Sequence, residues 1–133
     1  MQITRETDYA IRCVLYLVEN PDKVIMVDSI AKEKEIPKSF LAKILQKLTK
    51  ADIVKSFRGV KGGFKLSANP DRINLLNVIE AIEGPVAMNS CVLDKNICSL
   101  SHSCTVQPVW AELRQKLESL LGQYTFADLS ENK

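Results

Sequence analysis

Apolar residues recur along this chain with two different periods, and the switch between them divides it. From residue 5 to residue 19 they return every three or four positions. Ile11, Val14, Leu15 and Val18 follow i, i+3, i+4, i+7, the pattern of a helix with one buried face. Thr4 or Thr7 is placed to cap this helix and Asn20-Pro21-Asp22 to end it. Cys13, among Ala10, Val14 and Leu17, reads as a small core residue. Residues 27–35 predict a second, short helix with Ile30 and Ala31 turned inward. Its start is ill-defined, because Met26 stands where a polar cap is usual, and Pro37 blocks its continuation. A third helix is expected from Ser39, as cap, to about Ala51. Phe40, Leu41, Ile44, Leu45 and Leu48 make its apolar face, and Lys43, Gln46, Lys47 and Lys50 the other. Two short helices separated by three or four residues, the second basic on its exposed side, describe a helix-turn-helix.

The period then falls to two. Residues 53–57 and 64–67 predict two short strands around Arg58-Gly-Val-Lys-Gly-Gly63, whose glycines allow a tight turn with Arg58 and Lys61 at its tip. A hairpin directly after a helix-turn-helix is a wing. Asn69-Pro70-Asp71 is a turn, and Asn74, with Asn77 as capping-box partner, opens a helix over 75–83 with Leu75, Val78, Ile79 and Ile82 inside. Gly84-Pro85 stops it. A last helix runs from about Val106 to Gln123, with Pro108 in its first turn. Val109, Trp110, Leu113, Leu117, Leu120, Leu121 and Tyr124 form a broad stripe suited to pairing across a two-fold axis. The tail after Phe126 reads as polar and frayed.

Charge sharpens this outline. The net charge is only +2, yet residues 32–65 hold ten Lys/Arg against three Asp/Glu, while both flanks are mildly acidic. A basic block confined to the helix-turn-helix and wing is the footprint of a polyanion-binding face. The composition suits a soluble domain in the cytosol, without a membrane span or signal peptide. An enzyme is disfavoured: there is one His, no nucleophile–base pairing, and Gly59-Val-Lys-Gly62-Gly63 lies between strands rather than opening a helix.

Between the last two helices, Cys91, Cys98 and Cys104 fall within fourteen residues of otherwise loop-like composition. Such a loop has too little apolar surface to hold one shape unaided. In the cytosol, thiols gathered this closely point to a metal or redox centre rather than to disulfides. Three cysteines alone also fit zinc with a fourth ligand.

The stretch Val54-Lys-Ser-Phe-Arg58-Gly59-Val-Lys-Gly62-Gly63-Phe64-Lys-Leu66, followed by Leu75-Leu-Asn-Val-Ile-Glu-Ala-Ile-Glu-Gly84, resembles the Rrf-two family of bacterial transcription regulators. The resemblance runs from Ile3-Thr4 through Trp110 and the terminal helix. It implies a homodimeric winged helix with exchanged or packed C-terminal helices, reading a roughly palindromic promoter site in double-stranded DNA. The family divides on its cysteines: members with the triplet bind 2Fe–2S or 4Fe–4S clusters, and members without it act without a cluster. The triplet here is C-x6-C-x5-C, one residue longer in its first gap than the common five. Resemblance to the iron–sulfur branch therefore implies Cys91, Cys98 and Cys104 as cluster ligands. In one branch the fourth ligand is a histidine three residues after the last cysteine; here that position is Gln107, a departure. In another it is an aspartate early in the first helix, supplied by the other subunit, and Asp8 stands at the matching place with Arg12 four residues on to hold its carboxylate. By the residues alone, Asp8 and Arg12 make an ordinary exposed helical ion pair. His102 and an external ligand remain as alternatives.

The expected molecule is mainly α with a small β-hairpin wing: a winged helix-turn-helix plus a long C-terminal dimerisation helix. Residues 1–84 would bind DNA, 85–106 form the cysteine-containing cluster loop, and 107–127 the dimerisation helix. Ser39, Lys43, Gln46 and Lys47 are expected in the major groove, Arg58 and Lys61 on the minor groove or phosphate, and Lys38 and Lys50 on phosphate. The expected function is that of a homodimeric repressor whose promoter affinity follows an iron–sulfur cluster sensing nitric oxide, redox state or iron. The alternative is a cluster-free regulator using its cysteines as a thiol switch.

Overall fold

The structure, a computed structural model, describes residues 2–131. Its first helix, α1 (Arg5–Glu19), is capped by Thr4, whose hydroxyl accepts the Thr7 N–H at 3.2 Å. The face it buries comprises Thr7, Ala10, Cys13, Val14, Leu17 and Val18. Ile11 and Leu15 of the predicted stripe are only partly buried. The buried line is centred on the small residues Ala10 and Cys13, which let neighbouring helices approach closely.

Helices α2 (Val27–Lys34) and α3 (Lys38–Lys50) are joined by three residues. Glu35 ends α2 in the left-handed region, φ 51°, and the next residue, Ile36, is buried in the turn with its N–H donating to the Ala31 carbonyl at 3.0 Å. Two expectations about α3 need correction. Its cap is Pro37, not Ser39; proline's fixed φ suits the entry, and Ser39 lies exposed inside the first turn. Phe40 is not core: Leu41, Ile44, Leu45 and Leu48 fill the inward arc, and Phe40 sits at its edge, 37% exposed, edge-on to Tyr9 with centroids 5.4 Å apart.

Strands β1 (Val54–Phe57) and β2 (Gly63–Leu66) pair antiparallel, from Val54 opposite Leu66 to Phe57 opposite Gly63. Ile25 adds a one-residue bridge on the other side of β2, exchanging two 2.8 Å backbone hydrogen bonds with Phe64. The wing is thereby tied to the segment between α1 and α2. Gly63 permits that approach, since a Cβ there would run into the Ile25 backbone.

Helix α4 (Leu75–Glu83) begins with the predicted capping box, Asn74 and Asn77 exchanging bonds of 2.8 and 2.9 Å. It buries Val78, Ile79 and Ile82. Residues 85–106 hold only a short 3-10 turn, Ser90–Val92, before α5 (Gln107–Gln123). The tail is a correction: residues 126–131 are helical rather than frayed, and residues 132 and 133 lie outside the described residues. Helix α6 (Phe126–Glu131) folds back on α1 and packs against it. Phe126 is wholly buried in the main core. Its N–H donates to Ile73 at 2.8 Å, Leu75 donates to Tyr124 at 2.9 Å, and Thr125 caps the Asp128 N–H at 3.1 Å. No described helix is long and apolar enough to cross a membrane.

Because Phe126 plugs the core, Phe126→Ala should lower the unfolding free energy by about 3–5 kcal/mol in urea titrations. A loss under about 1 kcal/mol would mean that α6 does not hold its place.

Candidate nucleic-acid interface and cysteine loop

On α3, Ser39, Lys43, Gln46 and Lys50 are all exposed. At 3.6 residues per turn they fall within roughly 60° of arc, opposite the buried leucines and isoleucine. The wing stands beside this arc. Between them lies an open groove of about 550 Å³ lined by Ala42, Gln46, Thr49, Lys50, Ser56 and Phe64. Arg58 and Lys61 project exposed from the wing tip. A convex basic helix flanked by a cationic hairpin matches the major groove and adjacent backbone of a duplex in shape and charge.

Two lysines of the predicted set are placed differently. Lys38 pairs with Asp28 of α2 at 2.5 Å, both well exposed, a contact that a phosphate can displace. Lys47 lies roughly 70° from the centre of the polar arc, on the flank shared with Phe40. There its ammonium meets Glu6 Oε1 at 2.9 Å and the Ile82 carbonyl at 3.4 Å. Glu6 is the residue that sequence reasoning missed. It lies forty-one positions from Lys47, and no local pattern joins them.

Cys91 is half-buried, its thiol donating to Asn89 Oδ1 at 3.4 Å, while Cys98, His102 and Cys104 are exposed. All four cysteines of the chain are free thiols. Among the described residues no three His, Cys, Asp or Glu side chains are gathered tightly enough to hold a metal ion. Asp8 is exposed and 3.8 Å from Arg12, which also donates to the Lys34 carbonyl at 2.9 Å and lies 5.2 Å from the Tyr9 ring centre. Within the loop, the Ser101 hydroxyl is buried without a hydrogen-bond partner among the described residues. Three unpaired thiols on one loop, with an orphaned hydroxyl between the second and third, suit an iron–sulfur cluster as a donor set. The loop as folded does not bring those donors to one point. Cys13 takes no part: burial pushes its thiol up to about 12, and it acts as a core residue.

Residues 3–132 match the Rrf2 family, described as an iron-dependent transcriptional regulator. The chain belongs to this family. Its members are transcriptional regulators that bind DNA, not enzymes. An HTH-type transcriptional regulator of Aquifex aeolicus is 34% identical over 123 residues, covering 91% of this chain and 85% of the relative. The HTH-type transcriptional regulator NsrR of Bacillus subtilis is 31% identical over 135 residues, covering 100% and 92%. Among solved structures, CymR, the global cysteine regulator of B. subtilis, superposes with a TM-score of 0.79 at 23% identity, over 100% of this chain and 98% of that one. IscR of T. potens superposes at 0.74 and 23%, over 99% and 88%. At that identity the likeness establishes the winged-helix fold and nothing finer.

Two outcomes follow from this geometry. Alkylation of the native chain at about pH 8 should modify the three loop cysteines and spare Cys13, which should react only after unfolding; rapid fourfold labelling of folded protein would contradict the buried assignment. Lys50→Ala should weaken binding to all duplexes alike and reduce the salt slope by about 0.9 per subunit; selective damage to one sequence would show a base contact instead.

Proposed function

We propose that this chain is a homodimeric, cytoplasmic DNA-binding repressor whose promoter affinity follows the state of an iron–sulfur cluster held by residues 85–106. The observation that carries the reading is the loop itself: three free thiols in one segment between α4 and α5, with Leu93, Ile97 and Leu100 left exposed around them. A segment so constituted is incomplete without a group to close on.

Dimerisation rests on α5. Gln107 is its one buried residue, while Val109 and Leu120 are 54% and 50% exposed and Tyr124 lies open beyond its end. An apolar stripe of that length, wet in one subunit, suits a two-fold partner. Pairing there would set two α3 helices on half-sites about 34–36 Å apart.

Cys91, Cys98 and Cys104 would hold the cluster, with Asp8, offered across the dimer from the first turn of α1, as fourth ligand. When bound, the cluster supplies iron centres open to nitric oxide, oxygen and redox change. The protein's own part is to join loop closure to the spacing and tilt of α3. A difference of about 1–3 kcal/mol in DNA binding between the two loop states is enough for regulation. The exposure of Cys98 and Cys104, and the absence of a gathered donor set among the described residues, favour a second reading: a cluster-free thiol switch.

Oxygen-free reconstitution with iron and sulfide separates the two. The cluster reading expects a brown protein with bound iron and acid-labile sulfide, lost in Cys98→Ser, and an altered spectrum in Asp8→Ala. A colourless protein whose loop thiols form reversible disulfides would establish the thiol switch instead.

A further inference from the structure

We infer that Lys47 is a tie between the recognition helix and the foot of the cysteine loop, a positioning residue rather than a contact to DNA. Its single ammonium joins three elements. It projects from α3, pairs with Glu6 in the first turn of α1 at 2.9 Å, and approaches the Ile82 carbonyl in the last turn of α4 at 3.4 Å. Beside it, the Thr4 N–H donates to Glu83 Oε1 at 3.3 Å, so the start of α1 and the end of α4 are also joined directly.

The charges are arranged to favour this site. The carbonyl end of a helix carries partial negative charge and the amide end partial positive charge. Helix α4 has no basic residue in its own last turn, and Lys47 of α3 supplies one. Glu6 lies at the favourable end of α1. Both partners are more than half covered, with side-chain exposures of 41% for Lys47 and 24% for Glu6, so solvent screens the pair less than it does the open Lys38–Asp28 bridge. A phosphate drawing Lys47 away would leave a carboxylate and a helix-end carbonyl without it.

The position of the tie gives it a role. Residue 85, where the loop begins, is two residues past Glu83, and Asp8 is two residues past Glu6. Whatever closes the loop pulls on the last turn of α4, the first turn of α1, or both. Lys47 of α3 is in contact with both. A contact that is kept only when both elements hold one arrangement couples their equilibria.

This coupling rests on the cysteine loop being the sensing element; the assignment of Lys47 away from DNA does not. The test uses the full chain and a duplex selected from random-sequence DNA by the wild-type protein. Stripped protein is titrated at several salt concentrations as wild type, Lys47→Gln and Lys50→Ala. Lys47→Gln should keep the wild-type salt slope, whereas Lys50→Ala should lose about 0.9 per subunit. A Lys47→Gln slope reduced like that of Lys50→Ala overturns the proposal. The ratio of cluster-loaded to stripped affinity is then compared in wild type, Glu6→Gln, Lys47→Gln and Lys47→Arg. Both Gln variants should move the ratio toward one by about 2- to 30-fold, and Lys47→Arg, which can still span Glu6 and Ile82, should retain it. Glu6→Gln with an unchanged ratio overturns the proposal, as does Lys47→Arg behaving like Lys47→Gln. A wild-type ratio of one fails the cluster reading, and the coupling with it, before any variant is read. Should one Gln variant unfold, the other, read against Lys47→Arg and wild type, still carries the comparison: a ratio equal to wild type overturns the proposal.

Discussion

The buried face of α1 is the constraint from which the rest of the molecule follows. Ala10, Cys13 and Val14 are completely sealed from water, and α1 packs against α2, α3, α4 and α6. Burial on that scale is stabilising only if every neighbour keeps its place, because interiors packed to crystal density do not deform smoothly. The recognition helix, the helix that leads into the cysteine loop and the returning terminal helix therefore share one bearing. Cys13 illustrates the cost of disturbing it: the thiol is held neutral by desolvation and contributes volume rather than chemistry.

The polar margins of the same helix give that bearing its directional contacts. Glu6 reaches α3 through Lys47, Tyr9 meets Phe40 at the start of α3, and Arg12 donates to the carbonyl that ends α2. Asp8, the proposed fourth ligand, sits among these three residues. On the proposed reading, one helix would present a ligand on its exposed side and steady the DNA-reading pair along its flank. In the proposed dimer the exposed stripe of α5 would provide the second half of the geometry, since a spacing between two reading heads has meaning only there.

Much of this was legible in the residues, and the failures have identifiable causes. Elements with a long apolar period or a specific cap emerged clearly: α1 and α4 have the expected extents, α3 starts two residues early and ends within one of the expected residue, and the Asn74–Asn77 box is as the spacing implied. Phe40 was misread because a 3.6-residue period does not distinguish the centre of an apolar arc from its edge. The tail was misread because six residues are too few for periodicity to register, although Thr125 three before Asp128 was a capping signal. The Ile25 bridge and the Glu6–Lys47 pair join residues thirty-nine and forty-one positions apart, and no local pattern encodes such contacts. At the site, exposed Ser39, Lys43, Gln46 and Lys50 do share one face, while Lys47, equally basic in the sequence, turns toward an acid on another helix.

The central claim is that the state of residues 85–106 is felt at α3 through α1 and the end of α4. Amide hydrogen exchange, measured on cluster-loaded and cluster-stripped protein, reads this directly. Faster exchange on stripping in the loop, in the last turn of α4 and in α3 together is the predicted result. A change confined to residues 85–106, with α3 exchanging identically in both forms, would contradict it.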